Sequence, residues 1–161
     1  MTNSAQALEL VNRVVELCKF IEHPAIQEAV TTKMVPVSMP PDPNSLLKIS
    51  NWVGLGMVGL WAALDAFAER AGLKGPYPTR FRCQGTEEQS LKELDDIRNL
   101  YAHNYAGVAD AEYFKRPRRV LSGNPITLTC GAEFNGRQLS LNLIDLRWYA
   151  NTVRTVLERF S

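Results

Sequence analysis

Residues 44–72 read NSLLKISNWVGLGMVGLWAALDAFAERAG, and the period of this stretch decides the fold. Leu46, Ile49, Val53, Met57, Leu60, Leu64, Phe67 and Ala71 recur at gaps of three and four, which places them along one side of an α-helix. Asn44 or Ser45 can cap its start, and Gly72 closes it, because glycine enters the left-handed conformation that follows a helix without a Cβ clash. The unbroken period predicts the central helix of a bundle. Within it, Gly54, Gly56 and Gly59 spell G-x-G-x-x-G, yet a dinucleotide loop needs a strand before these glycines, a helix after them and an acidic residue about twenty positions on. None is evident. A glycine inside a helix costs up to about 1 kcal/mol relative to alanine, so these three are expected to serve close helix-to-helix approach or a local kink.

Three more helices flank this one. Asn3 or Ser4 can cap a first helix whose residues Leu8, Val11, Val15 and Cys18, with Leu10, Val14, Leu17 and Ile21 beside them, predict a wide apolar stripe ending near His23-Pro24. His23 there is expected to cap or pack. Val35 to Pro43 is Pro-rich and reads as an irregular connection. Gly75, Pro76, Pro78 and Gly85 mark a loop, after which Thr86 and Gln89 form a capping box for a helix from Glu87 to about Ala102. A last helix, about Asp145 to Phe160, carries Leu146, Tyr149, Val153, Val156, Leu157 and Phe160 on one broad face. Before it, Ile126 to Cys130 and Leu139 to Leu143 alternate apolar and polar residues around Asn135-Gly136, a type I′ turn signal, which predicts a β-hairpin inserted ahead of the last helix. The expected fold is therefore mainly α, a single domain over residues 1–161.

Composition narrows the function classes. A formal net charge of +1 argues against a long-range binder of nucleic-acid backbone and leaves room for a local basic patch. Cys18, Cys83 and Cys130 are odd in number and form no CxxC pair, so neither a disulfide framework nor a zinc knuckle is expected, and a cytoplasmic setting fits. The start of the chain lacks a basic region followed by an apolar run. The near-apolar stretch from Trp52 to Leu64 is shorter than the roughly 20 residues a membrane span needs, so no membrane segment is expected. No Walker loop or G-x-S-x-G elbow is present, and no metal or cofactor is expected. The adjacent pairs Glu87-Glu88 and Asp95-Asp96 point apart on a helix and are expected to face solvent.

The chemistry-bearing segment is Asp95-Asp96-Ile97-Arg98-Asn99-Leu100-Tyr101-Ala102-His103-Asn104-Tyr105. Leu91, Leu94, Arg98 and Tyr101 share one helical face, so Arg98 stands in an apolar stripe and needs a carboxylate, from Asp95 or from Asp65 or Glu69 on the central helix. A structural ion pair is the plain role for it. His103 lies five residues further, about 140° around an ideal helix, so the two side chains converge only if the helix ends near Tyr101 or a second subunit contributes. The spacing favours a helix end.

Arg98-Asn99-Leu100-Tyr101-Ala102-His103 resembles the HEPN superfamily, helical bundles whose ribonuclease members carry Arg, four to six residues, then His, commonly with Asn after the Arg. Asn104-Tyr105 completes the longer Arg-x4-His-x-Tyr form, which belongs to HEPN toxins paired with nucleotidyltransferase antitoxins. The resemblance implies a HEPN-like bundle of about four helices, with the hairpin as an elaboration, and a homodimer in which both motifs face one cleft. It implies metal-independent RNA cleavage through the ribose 2′-hydroxyl, as in toxin or defence systems, with Arg98, His103 and Asn99 as the catalytic set. His103 would move the proton and Arg98 would hold the charge on phosphorus. Tyr105 would stack a base, bind phosphate or accept an antitoxin's nucleotide, and Asp95 and Asp65 would support Arg98. Lys115, Arg116, Arg118 and Arg119 form a basic cluster, which would grip RNA or lie as a solvated loop. The alternative is a non-catalytic HEPN-like module that binds a nucleotide or a protein in the same cleft.

Overall fold

Helix α2 (Pro43–Arg70) is the axis of the molecule, and it touches every other long helix. The structure is a computed structural model and describes residues 3–19, 43–103, 126–134, 139 and 141–161. Around α2 pack α1 (Asn3–Lys19), α4 (Gly85–His103) and α5 (Leu143–Glu158), with a single helical turn, α3 (Tyr77–Arg80), leaning on α4. The protein is thus mainly helical, with four long helices among the described residues. Val53, Met57, Leu60, Leu64 and Phe67 are all buried, as the period of α2 requires. The Trp52–Arg70 part of α2 has the length and mean hydropathy, 1.2, of a membrane span, yet 56% of it is buried against its neighbours, which marks a core helix.

The three glycines of α2 each seat a different part of the bundle. A Cβ on Gly54 would lie 2.2 Å from the Tyr101 ring on α4, one on Gly56 would lie 2.9 Å from Cys18 Sγ on α1 and 3.0 Å from Leu146 on α5, and one on Gly59 would lie 2.8 Å from Val14 Cγ2. The helix runs through all three without a break. G-x-G-x-x-G here is a packing device.

Helix α2 ends as its sequence predicts. Gly72 takes φ +65°, the Gly72 N–H donates to Glu69 O at 3.1 Å, and the Leu73 N–H donates back to Ala68 O at 2.9 Å, so two otherwise orphaned carbonyls are satisfied. The Gly75–Gly85 connection holds α3, which the loop expectation missed: Pro76 and Pro78 preset the φ of a first helical turn rather than forbidding one. Helix α4 begins at Gly85, one residue ahead of the expected cap Thr86, and Gln89 Nε2 donates to Glu93 Oε1 at 3.0 Å. Helix α1 buries a narrower stripe than expected, Ser4, Ala7, Val11, Val15 and Cys18, while Leu10 and Leu17 face outward because only one side of α1 meets α2 and α5.

The region before α5 departs most from expectation. The described ladder has two residues a side, with β1 (Ile126–Thr127) antiparallel to β2 (Glu133–Phe134), and it closes through Leu128 N–H to Ala132 O at 2.8 Å around Gly131 at φ +91°. Asn135-Gly136, the expected turn, lies outside the described residues, as do His23 and most of the Pro-rich run. Of the expected strand from Leu139 to Leu143, Leu139 lies in a β-bridge and Asn142 is extended, whereas Leu143 already belongs to α5 and Ser140 lies outside the described residues. Asn142 accepts from Ile144 N–H at 2.7 Å and Asp145 N–H at 3.2 Å, and Asp145 accepts in return from Asn142 N–H at 2.7 Å. That reciprocal capping box outweighs the strand-like alternation.

A buried carboxylate ties this region to the bundle. Glu93 of α4, 2% exposed, accepts from Thr129 N–H at 2.9 Å, Thr129 Oγ1 at 2.5 Å and Tyr149 OH at 3.0 Å. Ser90 donates to Thr129 Oγ1 at 2.8 Å. A carboxylate surrounded by donors is tolerated in an apolar interior where a bare one is not. Burial first, and Glu93 second, push the Tyr149 hydroxyl far above its usual titration range.

Candidate functional site

The last two turns of α4 carry Asp95, Arg98, Asn99 and Tyr101, and α2 and α3 supply what surrounds them. Arg98 and Asp95, three residues apart and so stacked one turn on the next, form an ion pair with Nη2 donating to Oδ1 at 2.9 Å. Both side chains are about one quarter exposed, 28% and 27%, so the pair is open to solvent on one side. Asn99 Nδ2 reaches the same Oδ1 at 3.4 Å, which makes Asp95 the common anchor of both residues. Arg98 thus stands at the margin of the apolar stripe.

Below the guanidinium lies Trp61 of α2, 4% exposed, with Arg98 Cζ 5.3 Å from the ring centroid. Trp61 also meets Tyr77 of α3 at a centroid distance of 4.0 Å, and Arg80 Cζ covers Tyr77 at 3.6 Å. Four groups therefore run in series, Arg98, Trp61, Tyr77 and Arg80, with a cation at each end. Each cation has its own carboxylate: Asp95 for Arg98, and Asp65 for Arg80 at 3.9 Å. Arg98 Nε and Arg80 Nε are both buried without a hydrogen-bond partner. Electrostatic attraction to the ring faces compensates part of that loss.

Asp65 is the clear correction to the sequence reading. It accepts from Tyr77 OH and faces Arg80, so it supports the far end of the stack and not Arg98. Spacing along α2 could not reveal this, because Tyr77 and Arg80 lay in what read as a loop. Burial, then the hydrogen bond and charge of Asp65, push the Tyr77 hydroxyl up to about 12. Asp96 is a second correction, since it is 7% exposed rather than solvent-facing. Its neighbour Asp95 turns to the surface, as two adjacent helical positions must diverge. Glu87 too is engaged, by Arg159 of α5.

Tyr101 sits on the face of Gly54, and its hydroxyl donates to Leu139 O at 3.4 Å. The described part of α4 runs to His103, one residue past the expected end near Ala102. On this helix Arg98 and His103 occupy positions five residues and about 140° apart. Asn104, Tyr105, Lys115, Arg116, Arg118 and Arg119 lie outside the described residues. Among the described residues no cluster of three or more His, Cys, Asp or Glu side chains is placed to hold a metal ion.

What the site can do follows from the open side of Arg98. With Nε buried and one Nη2 hydrogen given to Asp95, the remaining Nη hydrogens have no partner among the described residues and could bind an anion such as a phosphate oxygen, beside a carboxylate and over an indole. Trp61, Tyr77 and Arg80 are the residues the sequence reading missed. Compared with known protein families, curated proteins and solved structures, the chain matches none.

Proposed function

We propose that this chain is a metal-independent endoribonuclease of the HEPN type, a HEPN-like helical bundle with a hairpin elaboration before its last helix, working as a homodimer in the cytoplasm. The observation that carries the reading is the Arg98 guanidinium, oriented by Asp95 and Trp61 with one side open, at the head of the Arg98–His103 motif. In this reading Arg98 binds the scissile phosphate and stabilises the added negative charge as five oxygens crowd around phosphorus. One His103 takes the 2′-hydroxyl proton and a second protonates the departing 5′-oxygen, leaving a 2′,3′-cyclic phosphate and a 5′-hydroxyl.

The continuity of α4 to His103 supports the two-copy form of the proposal, since the helix itself does not bring the two residues to one point. Asn99 supports Arg98 through their shared acceptor, Asp95. Tyr105 and the cluster Lys115, Arg116, Arg118 and Arg119 contact RNA, and Tyr105 is the residue a nucleotidyltransferase antitoxin would modify. The same Asp95–Arg98–Trp61 packing favours one other reading, a binding module without catalysis, because an arginine so held would also serve as a fixed anion receptor.

Incubation of the purified protein with mixed single-stranded RNA in EDTA decides between them. The ribonuclease reading expects fragments ending in 2′,3′-cyclic phosphate, and Arg98→Ala and His103→Ala each losing about 10²-fold or more in rate, the usual loss when a preorganised charge or proton carrier is removed. Intact RNA with wild-type protein, or unchanged cleavage by both variants, overturns it.

A further inference from the structure

A polar groove of about 880 Å³ lies between the segment leading into α4 and the outward face of α5, at the opposite end of α4 from Arg98. Its volume is that of a site for a small organic ligand. One wall holds Arg82 and Thr86, the other Trp148 and Asn151, with Arg159 reaching in from the end of α5. Three features of these residues call for a ligand.

Arg82 has φ +54° and is the one non-glycine in the left-handed region among the described residues, where four other positive-φ positions are glycines. A side chain held in that conformation against its steric preference points to a use for the side chain. The Arg82 guanidinium is exposed and forms no ion pair or side-chain hydrogen bond among the described residues, although its own carbonyl accepts from Arg159 Nη1 at 3.5 Å. Arg159 is bound to Glu87, so that carboxylate is already engaged and the groove keeps one uncompensated cation. Across from these charges, Trp148 is 42% exposed on a helix whose other large apolar residues are mostly buried. Asn151 accepts from Arg154 Nη1 at 2.8 Å, which leaves its amide N–H₂ to donate.

A free guanidinium, a second one fixed beside it, a partly exposed indole and neutral amide and hydroxyl groups are complementary to a nucleotide: phosphate on the cations, base stacked on the ring, base edge or ribose on the neutral groups. We propose that this groove binds one nucleotide unit, with its base on Trp148 and its phosphate at Arg82 and Arg159. The unit belongs either to a free nucleotide or to a strand of RNA, and the same chemistry recognises both. The inference stands apart from the cleavage reading, because it requires neither Arg98 nor His103.

The test is a titration of the full chain with AMP and, separately, with a 2′-O-methyl hexa-adenylate that cannot be cut through its 2′-oxygen, followed by tryptophan fluorescence and by calorimetry. Saturable quenching that disappears in Trp148→Phe is expected, together with at least tenfold weaker binding in Arg82→Gly. That glycine substitution relieves the left-handed backbone, so its melting temperature should hold or rise, and weaker binding cannot then be ascribed to unfolding. The oligonucleotide binding at least tenfold tighter than AMP identifies an RNA strand as the occupant, and equal or weaker binding identifies the free nucleotide. Absence of binding by both probes at millimolar concentration, or Arg82→Gly and Trp148→Phe both binding as well as wild type, overturns the proposal. Groove binding is read from the Trp148 signal and cleavage from RNA fragments, so loss of one is distinguishable from loss of the other.

Discussion

Gly54→Ala probes the closest contact in the bundle. An added Cβ at this position would stand 2.2 Å from Tyr101 Cδ1 and Cε1 and 2.5 Å from Cγ, so the rigid body of the ring, not the flexible tip of a side chain, occupies the space. To reach ordinary contact the ring or α4 must retreat by about 1 Å, and the Tyr101 hydroxyl is tethered to Leu139 O. Overpacking of this kind costs about 1–3 kcal/mol, and the helix-propensity gain of alanine returns about 1. A site this tight belongs at the upper end, so a net loss of about 2 kcal/mol is expected, a fall in Tm of roughly 4–8 °C for a chain of this length. Two internal comparisons guard the interpretation. Gly59→Ala meets only Val14 Cγ2 closely, at 2.8 Å with the next atom at 3.5 Å, and a half-buried valine can change rotamer, so its cost and gain nearly cancel. Gly56→Ala, against Cys18 Sγ and both Leu146 methyls, falls between them. Thermal melts followed by circular dichroism supply the order. Gly54→Ala melting at or above wild type would refute the close approach, and so would Gly59→Ala being the worst of the three. In a double-mutant cycle, Tyr101→Ala should remove most of the Gly54→Ala penalty, a coupling of at least about 1 kcal/mol.

Glu93→Ala strips the acceptor from Tyr149 OH and from both donors of Thr129, and with each orphaned buried group costing about 1–3 kcal/mol it should lower stability in urea by about 3 kcal/mol or more. Glu93→Gln, which keeps an acceptor oxygen and can pair with a rotated Gln89, should cost less than half as much. The Cys83 thiol is pushed up to about 11 by burial and then by Glu87, so alkylation by iodoacetamide at pH 8 should be slow in the folded protein and rapid in urea, and equal rates would refute its burial. Tyr77 titrates near 12 when folded against an ordinary value of 10, so the folded state holds its proton more tightly: the stabilising contribution is full below pH 10 and is lost as pH rises from about 10 to 12. Tyr77→Phe should flatten the decline of stability over that window, and an unchanged slope would refute the contact with Asp65.

Helical period and end signals carried most of the architecture, and the failures have identifiable physical causes. The regular gaps of α2 foretold its burial, and the missing context around G-x-G-x-x-G foretold that its glycines pack against neighbouring helices. The C-terminal end of the Leu139–Leu143 strand was placed too late because the alternation was followed through Asn142-x-x-Asp145, although that spacing is itself a capping-box signal. Proline was taken as a breaker at Pro76 and Pro78, where it opens α3 instead. That single misjudgement hid Tyr77 and Arg80, and with them the true partner of Asp65. For Arg98 the local partner, Asp95, was readable from i,i+3 spacing, whereas Trp61 was not, because its approach depends on how α2 crosses α4 and no local pattern encodes that crossing.

The stack from Arg98 to Arg80 changes what Arg98 has to be in either functional reading. A guanidinium fixed by one ion pair alone would be free to swing, since a pair open to solvent on one side is worth little more than about 1 kcal/mol. Here the indole beneath it is itself held, being 4% exposed and packed against Tyr77, which Asp65 and Arg80 hold in turn. Three elements distant in sequence thus converge to restrict one side chain. Such restriction is of small use to a structural ion pair at a surface, but it lowers the entropic cost of engaging an anion, because less rotamer freedom remains to be lost on binding. The anion receptor is therefore built from α2, α3 and α4 together, and a proton-transfer partner for it has to approach from outside the face that Arg98 occupies on α4.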